Sequence, residues 1–91
     1  MILTLLEITL DFPYVESLKG RRALLNSFKD KVKKANLSLL DLSGEYAKEG
    51  FVAIAYLSIN SQEARKKREF IEDILESFAG EVEYEIAVEE M

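Results

Sequence analysis

The 91-residue chain has no cysteine, no histidine and no tryptophan, and it has one proline. Without cysteine it can form neither disulfides nor thiolate metal sites. Without histidine it has no imidazole for a catalytic triad, a metal site or a titration near neutral pH. Only carboxylate, lysine, tyrosine or backbone chemistry remains, so we expect a protein that is not an enzyme and that holds no metal and no cofactor.

The composition is that of one ordinary globular domain. Apolar residues make up 48% of the chain and charged residues 32%, and four glycines and one proline are too few for a disordered chain. A chain of this length builds one core, so we expect residues 1–91 to form a single domain. The apolar stretch 2–10 contains Thr4, Glu7 and Thr9, is too short to span a bilayer and follows no basic leader. We therefore expect a cytosolic protein without a membrane contact.

Hydrophobic periodicity predicts six elements of secondary structure. Two nearly continuous apolar runs indicate strands that are buried in the middle of a sheet, and a third run alternates with glutamates like a half-buried strand. Apolar residues at helical spacing follow Ser17, and again follow Asn60 and Ser61, which are typical N-cap residues. Asn36 and Gly80 suit the left-handed position after a helix. The predicted strands are 2–11, 37–43, 51–59 and 82–88, and the predicted helices are 17–35 and 60–80.

This order of elements favours an α+β fold, the ferredoxin-like βαββαβ sandwich. Its four-stranded antiparallel sheet has the first and third strands in the middle and carries both helices on one face. Because two helices cover only one face, the other face is left open, and Leu3, Leu5, Phe51 and Ala53 are predicted to lie on it as a homodimer interface. A curled sheet whose outer face is merely less polar than average is the alternative.

Positive charge is concentrated in one segment of this acidic chain. Residues 19–34 include seven cations and one acid, a net charge of +6 that leaves −11 for the rest of a chain whose total is −5. Cations in the first turns oppose the helix dipole, so they suit an anionic ligand better than they suit helix stability. We predict an anion- or RNA-binding site here, formed by Ser17, Lys19, Arg21, Arg22, Lys29 and Lys33. Intramolecular pairing with the many acids of the chain is the alternative.

A second cationic run and two aromatic strand residues are better explained by structural roles than by binding. The cationic run 65–68 stands at the spacing of intrahelical pairs with Glu69 and Glu72, which predicts a solvated helix face. Phe51 and Tyr56 stand on the strand where RNA-recognition motifs carry stacking aromatics, but Ala53 occupies the second stacking position. We therefore expect Phe51 and Tyr56 to be core or interface residues.

The segment Ser17-Leu18-Lys19-Gly20-Arg21-Arg22 resembles the Ser-Leu-Lys-x-[Lys/Arg]-Arg opening of the first helix in the YlxP-like family of small conserved bacterial proteins. Residues 36–42 and 51–58 are similar to two strands of that family in the same order, whereas residues 46–50 depart from its pattern. The resemblance implies a ferredoxin-like fold and a connection with translation or ribosome maturation. It implies no catalytic activity.

The sequence therefore predicts a non-enzymatic cytosolic homodimer that contacts structured RNA, in a ribosomal or translational setting, through its first helix. One alternative is a dimeric regulatory module that binds an anionic metabolite at Ser17–Arg22. Another is a protein–protein adaptor that acts through the open sheet face.

Overall fold

The computed structural model describes residues 1–91 and contains the six elements in the predicted order. All strand pairs are antiparallel, and the sheet order β2-β3-β1-β4 puts the first and third strands in the middle. The predicted ferredoxin-like α+β fold is therefore confirmed. The elements are β1 (Ile2–Asp11), α1 (Leu18–Lys34), β2 (Ser38–Asp41), β3 (Glu49–Ser58), α2 (Ser61–Glu76) and β4 (Glu83–Glu90).

Alternate residues of the two central strands form the core under the helices. Leu6, Ile8 and Leu10 of β1, with Val52 and Ile54 of β3, are buried in one cluster with apolar residues of both helices. Burial of each such aliphatic side chain contributes about 1.5–3 kcal/mol. Because side chains alternate along a strand, the residues between them point to the opposite side of the sheet.

The ends of the helices follow the capping residues that the sequence indicated. Ser17 Oγ accepts a hydrogen bond from Gly20 N at 3.2 Å, and Asn60 Oδ1 accepts one from Glu63 N at 2.9 Å. These bonds satisfy backbone donors in the first turn of α1 and of α2. Asn36 has a φ of 62°, the left-handed conformation that ends the chain's helical path after α1.

Several element boundaries differ from the predicted ones, and the contacts of the chain explain three of the differences. After Glu76 the backbone makes hydrogen bonds from residue i to residue i−3, so α2 ends four residues before Gly80. Strand β2 ends at Asp41, whose carboxylate accepts a hydrogen bond from Ser43 N at 2.9 Å and turns the chain. Strand β3 begins at Glu49, two residues early, because Glu49 pairs with Asp11 at the end of β1.

Candidate functional site

Three of the predicted anion-binding residues form an exposed stripe on α1. At about 100° per residue, Lys19, Arg22 and Lys33 fall within an arc of about 60°, and the helical rise spreads them over about 21 Å. All three are exposed, and none has an ion-pair partner within the chain. Their charge is therefore available to an external anion. We call these three residues the α1 cation stripe.

Ser17 has a structural role at the start of α1. Besides the hydrogen bond from Gly20, the Ser17 carbonyl accepts one from Arg21 N at 3.2 Å. An N-cap of this kind stabilises a helix by about 1 kcal/mol. The Ser17 hydroxyl, which was predicted as an anion contact, is thus used to begin the helix.

Arg21 is partly buried and bonded to another part of the chain rather than presented to a ligand. One of its terminal nitrogens, Nη1, donates hydrogen bonds to the backbone carbonyls of Tyr46 and Glu49, both at 2.8 Å. Its Nε atom is buried and has no partner. The intramolecular alternative applies here, with backbone carbonyls in place of the expected carboxylates. The position of Arg21 in the apolar stripe of α1 was the sequence signal for this role.

Arg21 fixes the connection between β2 and β3 together with three other contacts. Phe12 N donates a hydrogen bond to Lys48 O at 2.8 Å, and Lys48 Nζ donates one to Pro13 O at 3.0 Å. A Cβ atom at Gly50, just after the connection in β3, would lie 3.0 Å from the buried Phe12 ring, so the backbone approaches that ring too closely for a larger residue. The connection is therefore anchored to both α1 and the end of β1.

Lys29 also has a partner within the chain. Its Nζ lies 2.9 Å from Asp41 Oδ2, which joins α1 to the end of β2. Partial burial raises the pKa of Asp41, but hydrogen bonds from Lys29 and Ser43 outweigh this effect and lower the pKa to about 2. Of the six predicted anion-binding residues, three thus form the α1 cation stripe and three contact other parts of the chain.

The cationic run on α2 is partly paired: of the two pairs indicated by the spacing, Arg68–Glu72 forms and Arg65–Glu69 does not, while Lys67 pairs with Glu63 instead. Lys67 Nζ lies 3.1 Å from Glu63 Oε1, and Arg68 Nε lies 3.4 Å from Glu72 Oε1. In each pair the two residues are one helical turn apart. Arg65 and Lys66 are exposed and have no ion-pair partner. They are a useful comparison for the α1 cation stripe because they also combine one arginine with one lysine.

The side of the sheet away from the helices, called the open face here, is covered by no element. Its register places Leu3 opposite Leu57, Leu5 opposite Ala55 and Thr9 opposite Phe51. The predicted interface residues Leu3, Leu5, Phe51 and Ala53 therefore all lie on this face, and the homodimer itself stays a prediction. The open-face residues are Leu3, Leu5, Glu7, Thr9 and Asp11 of β1, Ser38 and Leu40 of β2, Glu49, Phe51, Ala53, Ala55 and Leu57 of β3, and Glu83, Glu85, Ala87 and Glu89 of β4.

Two residues of the open face, Leu40 and Glu7, were not predicted from the sequence. Leu40 is 60% exposed and lies opposite Ala53, beside the predicted interface. Glu7 lies between Ala53 and Ala87 in the middle of the sheet. The register between strands places both residues, and periodicity within one strand does not contain that information. By contrast, Tyr56 is a core residue, as expected, and its hydroxyl donates a hydrogen bond to Ala64 O at 3.1 Å.

Neither α1 nor α2 has both the length and the apolar composition that a membrane-crossing helix needs.

The role of Arg21 predicts a loss of stability on its removal. Arg21→Ala should lower the free energy of unfolding by about 1–2 kcal/mol, because it removes two hydrogen bonds from a charged donor to backbone carbonyls. Urea unfolding followed by circular dichroism measures this change. The control Arg22→Ala, at an exposed neighbour, should stay within about 0.5 kcal/mol of the wild type. Equal effects of the two substitutions would contradict the assigned role.

The Lys29–Asp41 ion pair predicts a dependence of stability on acid pH. The folded-state pKa of Asp41, about 2, lies below its usual value of 3.8, so its contribution is present above pH 4 and is lost as the pH falls toward 2. The difference in unfolding free energy between wild type and Asp41→Asn should therefore shrink over that interval. Urea unfolding at several pH values measures it, with exposed Asp30→Asn as control. A difference that stays constant down to pH 2 would contradict the assignment.

Comparisons with solved structures show the fold. The chain is similar to the de novo designed protein Foldit4, with a TM-score of 0.64 and 15% sequence identity over 96% of each chain. It is also similar to the de novo designed protein Ferredog-Diesel, with a TM-score of 0.50 and 20% identity over 91% of this chain and 83% of that one. A search of the curated proteins finds no match.

The comparison with family models identifies the relatives of this chain. The model described as Protein of unknown function (DUF503) matches residues 3–90, a range that includes both helices and all four strands except Ile2, the first residue of β1. The match covers nearly all of the chain, including the α1 cation stripe and the open face. The chain therefore belongs to the DUF503 family of proteins of unknown function.

Proposed function

We propose that this protein is a non-enzymatic, cytosolic RNA-binding protein that contacts the phosphate backbone of structured RNA through the α1 cation stripe. The observation that carries the proposal is that Lys19, Arg22 and Lys33 are exposed along one side of a helix and have no ion-pair partner in the chain. Arginine and lysine side chains supply most protein contacts to phosphate groups.

The charge distribution supports a selective contact. The segment 19–34 has a net charge of +6, and the remainder of the chain has a net charge of −11. A polyanion is therefore repelled by most of the surface and attracted by α1, so the interaction depends on orientation and on salt. The absence of acidic residues from the first turn of α1 strengthens the attraction at that end.

The open face does not suit RNA, although this fold binds RNA through its sheet in RNA-recognition motifs. Phe51 is the one aromatic residue on it, and all six of its charged residues are acids. Carboxylates repel phosphate groups, and a single aromatic ring supports little base stacking. The proposal therefore assigns RNA to the helix side of the molecule.

The ribosomal setting and the anionic-metabolite alternative differ in how well they agree with binding through α1. The resemblance of Ser17–Arg22 to the helix opening of YlxP-like proteins supports a ribosomal or translational setting. An anionic metabolite at the same segment has less support, because Ser17 and Arg21 already have partners within the chain. The exposed stripe extends along the helix and suits an extended polyanion better than a small ligand.

The test is salt-dependent binding to purified ribosomal subunits and to bulk ribosomal RNA. The double variant Lys19→Ala/Arg22→Ala should weaken binding about tenfold or more in dilute salt and reduce the slope of log K against log salt by about 2, because two phosphate contacts are lost. Filter binding or fluorescence anisotropy over a range of salt concentrations measures both quantities.

The control for this experiment is Arg65→Ala/Lys66→Ala, which removes the same two residue types from the other helix. It should change affinity by less than about twofold, since only the net charge of the protein changes. If the two double variants lose affinity equally, the attraction is nonspecific and the α1 site is wrong. If the wild type binds neither ribosomal subunits nor RNA in dilute salt, the proposed function is wrong.

A further inference from the structure

The open face carries charge of one sign only. Its ionisable residues are Glu7 and Asp11 of β1, Glu49 of β3, and Glu83, Glu85 and Glu89 of β4, and it has no lysine or arginine. The seven cations of residues 19–34 belong to the helix side of the sheet. The molecule therefore presents a negative potential on the side opposite to the α1 cation stripe.

The acids and the apolar residues occupy different halves of the open face. Along β4 and the neighbouring part of β1, carboxylates predominate. Along β2 and β3 most open-face residues are apolar, with Ser38 and Glu49 as exceptions, and Leu40 and Leu57 are 60% and 54% exposed. Exposed apolar surface beside charges of one sign is typical of a surface that binds a protein.

A recess marks the boundary between the two halves. It has a volume of about 230 Å³ and is lined by Glu7, Thr9, Phe51, Glu85, Ile86 and Ala87. Glu7 pairs with Ala87, and Glu85 lies two residues before Ala87 on β4. The two glutamates are therefore diagonal neighbours, and both side chains border the recess. A positively charged side chain in this recess would meet two carboxylates and the ring of Phe51.

A second copy of this chain is a poor occupant of the whole face. Glu7 lies in the middle of the sheet between two alanines, so any partner that covers the face also covers this carboxylate. An identical face offers it no cation, and a covered carboxylate without a cation is costly. Phosphate polymers are excluded by the same charges. No group of three or more carboxylates converges closely enough to hold a metal ion.

We propose that the open face is a docking surface for a basic polypeptide segment, whose apolar residues contact the β2–β3 half and whose lysine or arginine residues face the carboxylates of β1 and β4. This surface is independent of the α1 cation stripe, so a basic protein and an RNA can be bound at the same time on opposite sides of the sheet.

The test uses three synthetic ten-residue peptides of alternating sequence: Lys–Leu, Glu–Leu and Lys–Ser. Fluorescence anisotropy of labelled peptides in dilute salt measures binding. We expect the Lys–Leu peptide to bind, the Glu–Leu peptide not to bind, and the Lys–Ser peptide to bind at least about tenfold more weakly because it lacks apolar contacts. Failure of the Lys–Leu peptide to bind, or equal binding of all three peptides, would overturn the proposal.

Matched variants locate the binding surface. The double variant Glu7→Gln/Glu85→Gln should weaken binding of the Lys–Leu peptide about tenfold or more. The control Glu69→Gln/Asp73→Asn makes the same change in net charge at exposed positions of α2. It should change the affinity by less than about twofold. Equal losses in the two variants would overturn the proposal. Thermal unfolding checks that each variant is folded, and Leu40→Lys, at an exposed position on the edge strand, should weaken binding independently.

The oligomeric state of the protein distinguishes a basic partner on the open face from a second copy of this chain. Sedimentation of the wild type at the mass of one chain, with Leu5→Asp leaving that mass unchanged, is expected if a basic partner covers the face. A dimer that Leu5→Asp converts to a monomer would assign the face to a second copy and overturn the proposal. RNA binding by the wild type does not depend on this result, so the two proposals fail separately.

Discussion

The burial of one side of β1 and β3 against two helices is the interaction on which the rest of the structure depends. Leu6, Ile8, Val52 and Ile54 are fully buried there, while the residues between them remain on the other side of the sheet. Two helices cannot cover both sides of a four-stranded sheet, so the same alternation that forms the core also creates the open face. The two candidate binding surfaces are therefore consequences of one packing constraint.

The two sides of the sheet also differ in the sign of their exposed charge. The exposed cations Lys19, Arg22 and Lys33 lie on a helix, whereas all charged side chains of the open face are carboxylates. Each surface excludes the ligand that suits the other, because phosphate groups are repelled by the open face and basic peptides are repelled by α1. Under the two proposals, the domain binds partners of opposite charge on separate surfaces, without competition between them.

The sequence predicted those features that depend on local pattern. Periodicity located the strands, and Ser17, Asn60 and Asn36 marked helix ends, since capping and left-handed turns involve residues a few positions apart. The roles of the charged side chains depended instead on tertiary contacts between distant segments. The local sequence predicts Arg21 as a ligand contact, but its partners at Tyr46 and Glu49 lie 25 and 28 residues away in the chain.

The open face shows the same limit. Parity along β1 and β3 placed Leu3, Leu5, Phe51 and Ala53 together, because alternation within a strand is local. The position of Glu7 between Ala53 and Ala87 required the pairing of three strands, which no single segment specifies. The central carboxylate, which decides between a second copy and a basic partner, was therefore visible only in the folded chain.

The most direct test of the two-sided account is an NMR titration of the isotopically labelled protein with a ribosomal RNA hairpin. The account predicts that amide shifts change along α1, near Lys19, Arg22 and Lys33, and that the amides of Phe51 and Ala53 on the open face stay unchanged. Shift changes concentrated on the open face, with α1 unaffected, would contradict it.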